Sequence, residues 1–483
     1  MTFLIGGANS LTGGYEIDNS LRFNDDDNPS LSRANDSGGS NTAGTLSFWT
    51  KRSEINTGYL FFARSDDSNV FNVYFSNSST NRLEIRSSQG GSVDFQYKTN
   101  MIFRDPAAWY HIVIAIDTTD GTAADRCKLF VNGSRITSFN TQTNFGDSDT
   151  IELFQSDATV YVSGEHEGGT IGSPYDGYIA DLNFVDGTQY DASNFGETND
   201  NGVWIPKKFG GTQGTNGFRL EFKQTGTSAN ASGMGADTSG NTNHLTPSNL
   251  TATDVTTDTP TNNFCTMNPL DVGSDLRDNG SFAEGNLEVT NGATSGQADQ
   301  QRVRGTIAVT KGKWYFEMKQ IANSASIGVL ATEAAHGGTS ANSMLVEYND
   351  GGEIRFFNGS GRTTKTTGID SFDDDDIVGC ALDMDNRRAY FHKNGTYQGD
   401  PTPDPAGSPS GAGQFGGIQT GFTMAPCMFD NSSGSAGKGS FNFGNAPFAI
   451  SSGNSDGAGF GNFEYAVPSG YFSLCTKNLA TYG

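Results

Sequence analysis

The chain has 483 residues, which is enough for about three average domains or for two large β-sandwiches. Its 34 phenylalanines and 16 tyrosines can fill sizeable cores, which argues against disorder throughout, and its 63 glycines leave little room for long helices. The formal net charge of −24 argues against binding to nucleic acid or anionic lipid, because both need clustered lysine and arginine, and no apolar run is long enough to cross a membrane.

Short strands are predicted along the first part of the chain. A polar start is followed by apolar or alternating runs at 20–24, 46–50, 59–63, 70–75, 82–86 and 93–97. Leu83 and Ile85 alternate with Glu84 and Arg86, and this period of two predicts a sheet with one buried face. A closing strand at 218–222 ends the series, so we place a first domain at 1–225.

Three segments of this first domain carry a family pattern. Trp109 and His111 open an apolar strand that ends at Asp117, residues 128–133 end in an Asn-Gly turn, and residues 178–184 form a late apolar strand. The order of these segments resembles the laminin-G-like (concanavalin-A-like) sandwich. The resemblance implies a jelly-roll fold with Trp109 in its core.

Residues 226–285 lose most of their apolar content to Gly, Ser, Thr and Asn, so we assign them to a linker. The amino-acid sequences of 237–243 and 256–264 resemble linkers in large proteins of marine tailed bacteriophages. The sequence of 474–479 resembles a C-terminal segment found in the same group of proteins. This resemblance implies that the chain is a virion protein.

The remaining residues, 286–483, carry a second set of ordered motifs. An aromatic strand around Trp314 and Phe316 is followed by an Ile-Gly-Val strand, a Gly-Cys-Ala-Leu-Asp strand, and a hairpin in which Phe391 precedes Asn394-Gly395. The set resembles the SPRY family of β-sandwich domains, here with a C-terminal extension, and implies core positions for Trp314, Phe316 and Phe391. The predicted fold class is therefore all-β, with two antiparallel β-sandwich (jelly-roll, concanavalin-A-like) domains joined by a linker.

The five cysteines are scattered, which predicts buried free thiols rather than a disulfide framework. Residues 1–7 lack the basic flank and longer apolar stretch of a secretory signal, so we expect synthesis in the cytoplasm.

Catalysis is not predicted. Glu16-Ile17-Asp18 begins like the laminarinase-type Glu-x-Asp-x-x-Glu motif, but Leu21 stands where the third acid is needed. His111 lies in an apolar strand, where a hydrogen-bonded core histidine is the simpler interpretation.

Calcium is the one cofactor for which the sequence offers candidates, since the laminin-G-like resemblance implies loop-rim sites with Asp ligands. The candidate ligands are Asp25, Asp26, Asp27, Asp66 and Asp67. Solvated acidic loops remain the alternative interpretation, because consecutive acids on a strand point to opposite sides.

Aromatic residues beside acids in polar loops are candidate carbohydrate ligands, because the ring can stack on a sugar and the acid can accept its hydroxyls. Tyr175-Asp176 and Tyr190-Asp191 have this form, with packing and turn formation as the alternative.

Together these features favour a non-enzymatic tailed-phage virion protein of the tail fibre, tail or head surface. We expect it to adhere to host-surface carbohydrate or protein and to form a homo-oligomer that contacts other virion proteins. Several copies would then combine many weak contacts with the host into strong overall binding. A structural decoration or connector protein is the alternative, and a polysaccharide depolymerase is a more remote one.

Overall fold

The computed structural model describes residues 14–77, 79–168, 170–292, 302–334, 336, 344–358, 362–365, 368–399, 404–406, 415–429 and 436–483. The chain divides between Thr261 and Asn262 into two compact units. We call them the N-terminal unit and the C-terminal unit and describe each by itself.

The N-terminal unit consists of short strands joined by turns. Its strands are β1 (Ser20–Phe23), β2 (Ser30–Ala34), β3 (Ala43–Arg52), β4 (Gly58–Asp66), β5 (Asn69–Phe75), β6 (Arg82–Gln89), β7 (Ser92–Ile102), β8 (Tyr110–Asp117), β9 (Cys127–Val131), β10 (Ser134–Arg135), β11 (Phe139–Thr143), β12 (Thr159–Val162), β13 (Glu165–Glu167), β14 (Thr170–Gly172), β15 (Gly177–Asp186), β16 (Gly196–Thr198), β17 (Trp204–Pro206), β18 (Phe218–Leu220), β19 (Thr246–Ser248) and β20 (Val255–Thr256). Single 3-10 turns lie at Asp25–Asp27, Ala123–Asp125, Glu152–Phe154, Ala192–Asn194 and Ala252–Asp254.

Two antiparallel sheets make up the sandwich of this unit. Sheet A has the order β10-β9-β8-β3-β15-β1-β20, with β18 beside β15, and sheet B has the order β11-β7-β6-β5-β4-β12-β2-β19. Alternate residues of β8, such as Ile112 and Ile114, share one buried core with Leu83 and Ile85 of β6. Each such fully buried side chain contributes about 1.5–3 kcal/mol, which is why the period-two pattern fixes the layers.

Trp109 lies outside this core, contrary to the expectation from sequence. It precedes β8 and alternates with the inward Ile112, so it shares the outer face of sheet A with His111. There it is half-buried against Ile17, Trp49 and Ala180. The Trp-x-His motif does lead into β8, as the resemblance implies. The alternation of side chains along β8, however, turns the Trp109 indole away from the core.

The C-terminal unit holds a second sandwich. Its strands are β21 (Met267–Val272), β22 (Ser281–Ala283), β23 (Glu288–Thr290), β24 (Arg302–Gly305), β25 (Lys313–Ala322), β26 (Ser326–Ala331), β27 (Met344–Asn349), β28 (Glu353–Asn358), β29 (Arg362–Lys365), β30 (Ile377–Asp383), β31 (Arg388–Lys393), β32 (Thr396–Tyr397), β33 (Phe415–Gly416), β34 (Met424–Phe429), β35 (Lys438–Asn442) and β36 (Phe472–Ser473), and its short helices are α1 (Ser274–Asn279) and α2 (Thr476–Tyr482).

The sheets of this unit again enclose one core. Sheet C runs β21-β24-β34-β26-β27-β28-β29, and sheet D runs β22-β23-β35-β25-β30-β31-β32, with β33 beside β31 and β36 beside β25. Trp314, Phe316 and Phe391 of sheet D are 0% exposed and pack in this core, where the sequence places them. The prediction of an all-β chain with antiparallel β-sandwiches is confirmed.

A buried carboxylate ties the C-terminal segment to the outer face of sheet D. Glu317 accepts hydrogen bonds from the Tyr315 hydroxyl (2.8 Å) and the Asn442 amide (3.1 Å). It also accepts from the backbone N–H groups of Glu464 (3.0 Å) and Tyr465 (2.9 Å). This one side chain therefore holds residues 464–465 against the sheet.

The assignment of 226–285 to a linker is wrong. Met234 and Leu245 pack in the core of the N-terminal unit, whereas Cys265 and Met267 pack in that of the C-terminal unit. The polar composition instead supports irregular structure held by side-chain to backbone bonds. The Asp237 carboxylate accepts from the backbone N–H groups of Arg219 (2.9 Å), Ser239 (2.8 Å) and Asn243 (2.9 Å).

All five cysteines are buried free thiols, as expected. Among the described residues, no helix has the length and apolar character needed to span a membrane.

Candidate cation site

Three neighbouring strands of sheet A end side by side. Gly177, at the start of β15, is paired with Phe23, at the end of β1, and with Arg52, at the end of β3. Asp25 and Glu54 each lie two residues beyond a paired strand end, and Asp176 lies one residue before Gly177. One carboxylate oxygen from each of these three acids lies within 4.8 Å of the others. We call this group the rim cluster.

Local backbone structure fixes the third member of the rim cluster. Gly177 has a φ of 145°, and a Cβ at this position would lie 2.3 Å from the Lys51 carbonyl oxygen, so the junction requires glycine. The Ser53 backbone N–H donates to the Asp176 carbonyl (3.2 Å), which continues the pairing past the strand ends. Asp176 is thereby held at the rim, 5% exposed.

Only the first residue of the predicted Asp25-Asp26-Asp27 set joins the cluster. These residues form a 3-10 turn that ends in left-handed Asn28, so successive carboxylates point in different directions. Asp26 and Asp27 are exposed, and Asp27 accepts a hydrogen bond from the Asn24 amide (2.9 Å). The turn therefore delivers a single ligand.

The cluster is electrostatically unfavourable for three charged carboxylates. Burial, followed by the repulsion from Asp25, raises the pKa of Glu54 to about 7. Burial and the nearby Asp26 raise the pKa of Asp25 as well. The adjacent Arg52 guanidinium donates to the backbone carbonyls of Phe103 (2.7 Å) and Asn56 (2.8 Å). A proton or a cation at this position relieves the repulsion.

A small cleft, open to solvent, lies beside the cluster, and its lining includes Glu54, Asp176, Asn56, Thr57 and Tyr175. Tyr175 is 1% exposed, and its hydroxyl contacts the Thr50 hydroxyl (2.7 Å) and the Lys51 carbonyl (2.9 Å). Its ring is therefore not available to stack on a sugar, contrary to the sequence interpretation.

The second predicted Tyr-Asp pair lies elsewhere. Tyr190 follows the opposite end of β15 from Asp176, a separation of about 30 Å along the strand. Tyr190 is half-buried, with its ring edge-on to Phe209 at 5.1 Å, and Asp191 is exposed before a 3-10 turn. The two predicted pairs are not brought together.

Asp66 and Asp67 are turn residues. The Asp66 carboxylate accepts from the backbone N–H groups of Ser68 (2.7 Å) and Asn69 (2.9 Å), and the bond from Ser68 contributes most to the lowered pKa of this carboxyl. Asp67 pairs with Arg64 at 2.6 Å. These contacts account for both acids without a metal ion.

Leu21 and His111, two of the residues considered for catalysis, have structural roles. Leu21 is 0% exposed in the core, while Glu16 and Asp18 are exposed. The Trp204 indole donates to Nδ1 of His111 (3.0 Å), so Nε2 carries the proton and donates to the Ser47 hydroxyl (3.0 Å). Burial lowers the pKa of His111 to about 3, which keeps the ring neutral.

Sequence reasoning did not find Glu54. It lies alone in a Ser-Glu-Ile-Asn stretch, and its value as a ligand follows only from the pairing of β3 with β15. The sequence did carry one signal that could have indicated the site, since both Glu54 and Asp25 lie just beyond a strand.

One family model that matches part of the N-terminal unit agrees with its sandwich fold. Residues 24–192 match the family model described as the Concanavalin A-like lectin/glucanases superfamily. Three solved structures are similar. The SPRY domain of human HERC1 is 23% identical and covers 32% of this chain and 87% of its own, with a TM-score of 0.24. The SAP-like pentraxin from Limulus polyphemus is 20% identical, and the match covers 37% of this chain and 80% of the pentraxin chain, with a TM-score of 0.27. Domains LG4-5 of the mouse laminin alpha1 chain are 9% identical, and the match covers 91% of this chain and 90% of the laminin chain, with a TM-score of 0.30. A search of curated proteins gives no significant match.

Proposed function

We propose that the protein is a non-catalytic adhesion protein that binds carbohydrate or protein on a cell surface, with Ca²⁺ held by Asp25, Glu54 and Asp176. The observation that carries the proposal is the convergence of these three carboxylates at adjacent strand ends. The family model matched by residues 24–192 includes lectins, which supports the binding role.

The spacing of the rim cluster suits calcium. Ca²⁺ takes six to eight oxygen ligands at about 2.3–2.6 Å, so two ligands of one ion lie at most about 5 Å apart. The three carboxylate oxygens meet this limit. Three carboxylates do not fill the coordination sphere, so positions are left for backbone oxygens, water or the hydroxyl groups of a ligand.

The biological setting proposed is the surface of a tailed-bacteriophage particle, on a tail fibre, tail or head. The support is the resemblance of 237–243, 256–264 and 474–479 to segments of such proteins. Several copies on a symmetric base, attached to other virion proteins, would convert weak single contacts with host glycan or protein into firm adhesion.

Calorimetric titration of CaCl₂ into the full chain at pH 7.5 tests the site, and binding to host cells in calcium or EGTA tests the function. We expect one calcium site that Glu54→Gln weakens at least tenfold, and cell binding that EGTA reduces. Asp147→Asn is the matched control, because Asp147 is an exposed acid near the opposite end of β3 from Glu54. A silent titration refutes the site, whereas chain that binds no host cell in either buffer refutes adhesion and favours a connector role.

A further inference from the structure

One arginine lies beside the rim cluster. Arg52 ends β3 and lines the same cleft as Glu54 and Asp176. In the sheet it is paired with Gly177, the residue that follows Asp176. Burial lowers the pKa of Arg52, and the charges of Glu54 and Asp176 oppose this lowering, so both carboxylates lie within electrostatic reach of the guanidinium. The proposed calcium ligands therefore have a positive charge next to them.

Uncharged groups hold this guanidinium in place. It donates to the backbone carbonyls of Phe103 (2.7 Å) and Asn56 (2.8 Å) and, at a longer distance, to Oδ1 of Asn81 (3.4 Å). It also lies over the ring of Phe75, 4.5 Å from the ring centroid. Arg52 is only 2% exposed, so the packing around it leaves the charge no room to move away from the cluster.

The charge of Arg52 is not cancelled by direct contact with an acid. No described carboxylate forms an ion pair with Arg52, whereas the neighbouring Lys51 pairs with Asp258. All of the hydrogen-bond acceptors of Arg52 given above are neutral. Buried charges are screened much less than exposed ones, so the guanidinium acts on whatever occupies the rim cluster.

A fixed positive charge weakens the binding of a doubly charged cation. The Coulomb repulsion between Ca²⁺ and the Arg52 guanidinium opposes the attraction of the three carboxylates, and it grows with the charge of the incoming ion. The net charge around a calcium site is one of the main determinants of its affinity, which ranges in proteins from about 10⁻⁹ to 10⁻³ M. The position of Arg52 therefore favours the weak end of this range.

We propose that Arg52 sets the calcium affinity of the rim cluster in the range of extracellular calcium-binding modules, about 10⁻⁴–10⁻³ M. The inference rests on the proposed calcium site and adds its regulation. A site of this affinity stays empty at the low free calcium of a cytoplasm and fills outside the cell. Calcium-dependent adhesion is then switched on only after the protein has left the cell that makes it.

The test compares calcium affinities of the full chain by calorimetric titration of CaCl₂ at pH 7.5. Arg52→Gln removes the charge and should bind at least tenfold more tightly than wild type, whereas Arg52→Lys keeps the charge and should stay within about threefold of wild type. Arg126→Gln is the matched control and should also stay within about threefold. Arg126 likewise donates to two backbone carbonyls, of Asp120 (2.9 Å) and Phe145 (3.0 Å), but it lies near the opposite end of β3.

Thermal unfolding in EGTA shows whether Arg52→Gln is folded. If it is folded and binds calcium less than tenfold more tightly than Arg126→Gln, the proposal is overturned while the calcium site stands. If it does not fold, the wild-type affinity decides: a dissociation constant of about 0.1 mM or more supports the proposal, and a smaller one overturns it. A wild type that binds no calcium up to about 10 mM refutes the site and this inference together.

Discussion

Replacement of Glu54 by glutamine should stabilise the calcium-free protein at alkaline pH. The pKa of Glu54 is raised from 4.5 to about 7 in the folded state, so between these values the folded state binds more protons than the unfolded state. Stability therefore falls as pH rises through this window, and the cost is fully present above pH 7. The glutamine amide carries no charge and avoids the cost.

The size of the effect follows from the shift. A difference of about 2.5 pKa units corresponds to about 3.4 kcal/mol for a fully buried group. Glu54 is only half-buried, so solvent screening reduces this to about 1–2 kcal/mol. For a unit of this size each kcal/mol shifts the melting temperature by about 2–4 °C, so Glu54→Gln should raise it by about 2–8 °C at pH 8.

The assay is thermal unfolding in EGTA at pH 5 and pH 8, followed by circular dichroism. The gain from Glu54→Gln should be present at pH 8 and small at pH 5, where the wild-type carboxyl is mostly protonated. Saturating calcium should stabilise wild type more than it stabilises Glu54→Gln at pH 8, because only wild type retains the Glu54 carboxylate as a calcium ligand. An equal difference at the two pH values, or no effect of calcium, would refute the reasoning.

Four further substitutions test the structural roles assigned above. Asp237→Ala should lower the unfolding free energy of the N-terminal unit by about 3 kcal/mol, since three backbone donors lose their acceptor; an unchanged urea midpoint would return 226–261 to the status of a linker. Glu317→Ala should cost about 3–5 kcal/mol, since four hydrogen-bond donors lose their acceptor. It should also expose residues 464–465 to limited proteolysis; protease resistance equal to that of wild type would contradict the tie to sheet D. Trp314→Ala should cost about 3–5 kcal/mol, and Trp109→Ala about 1 kcal/mol, in thermal unfolding; equal losses would mean that Trp109 is a core residue after all.

Strand positions were predictable because burial of one sheet face imposes a period of two on the sequence. That rule shows that alternate residues of a strand face opposite sides, but not which set faces the core. Trp109 was therefore predicted on the inner face. The stretch 226–285 shows a related limit. Asp237 satisfies three backbone N–H groups at once, and the composition that permits this also resembles that of a flexible linker.

The rim cluster could be predicted only in part. Asp25 was a candidate because it begins an acidic run, but its partners are 29 and 151 residues further along the chain, as the residue numbers 54 and 176 show. The order β3-β15-β1 in sheet A brings them together, and that order is not encoded in any local pattern. Asp176 was selected for another role, beside a tyrosine that proved to be buried.

The most direct test of the account is the location of a bound cation. Crystals grown in calcium and then exchanged into terbium should show an anomalous peak about 2.4 Å from carboxylate oxygens of Asp25, Glu54 and Asp176. A peak at Asp66 and Asp67 instead, or no peak at the ends of β1, β3 and β15, would contradict it.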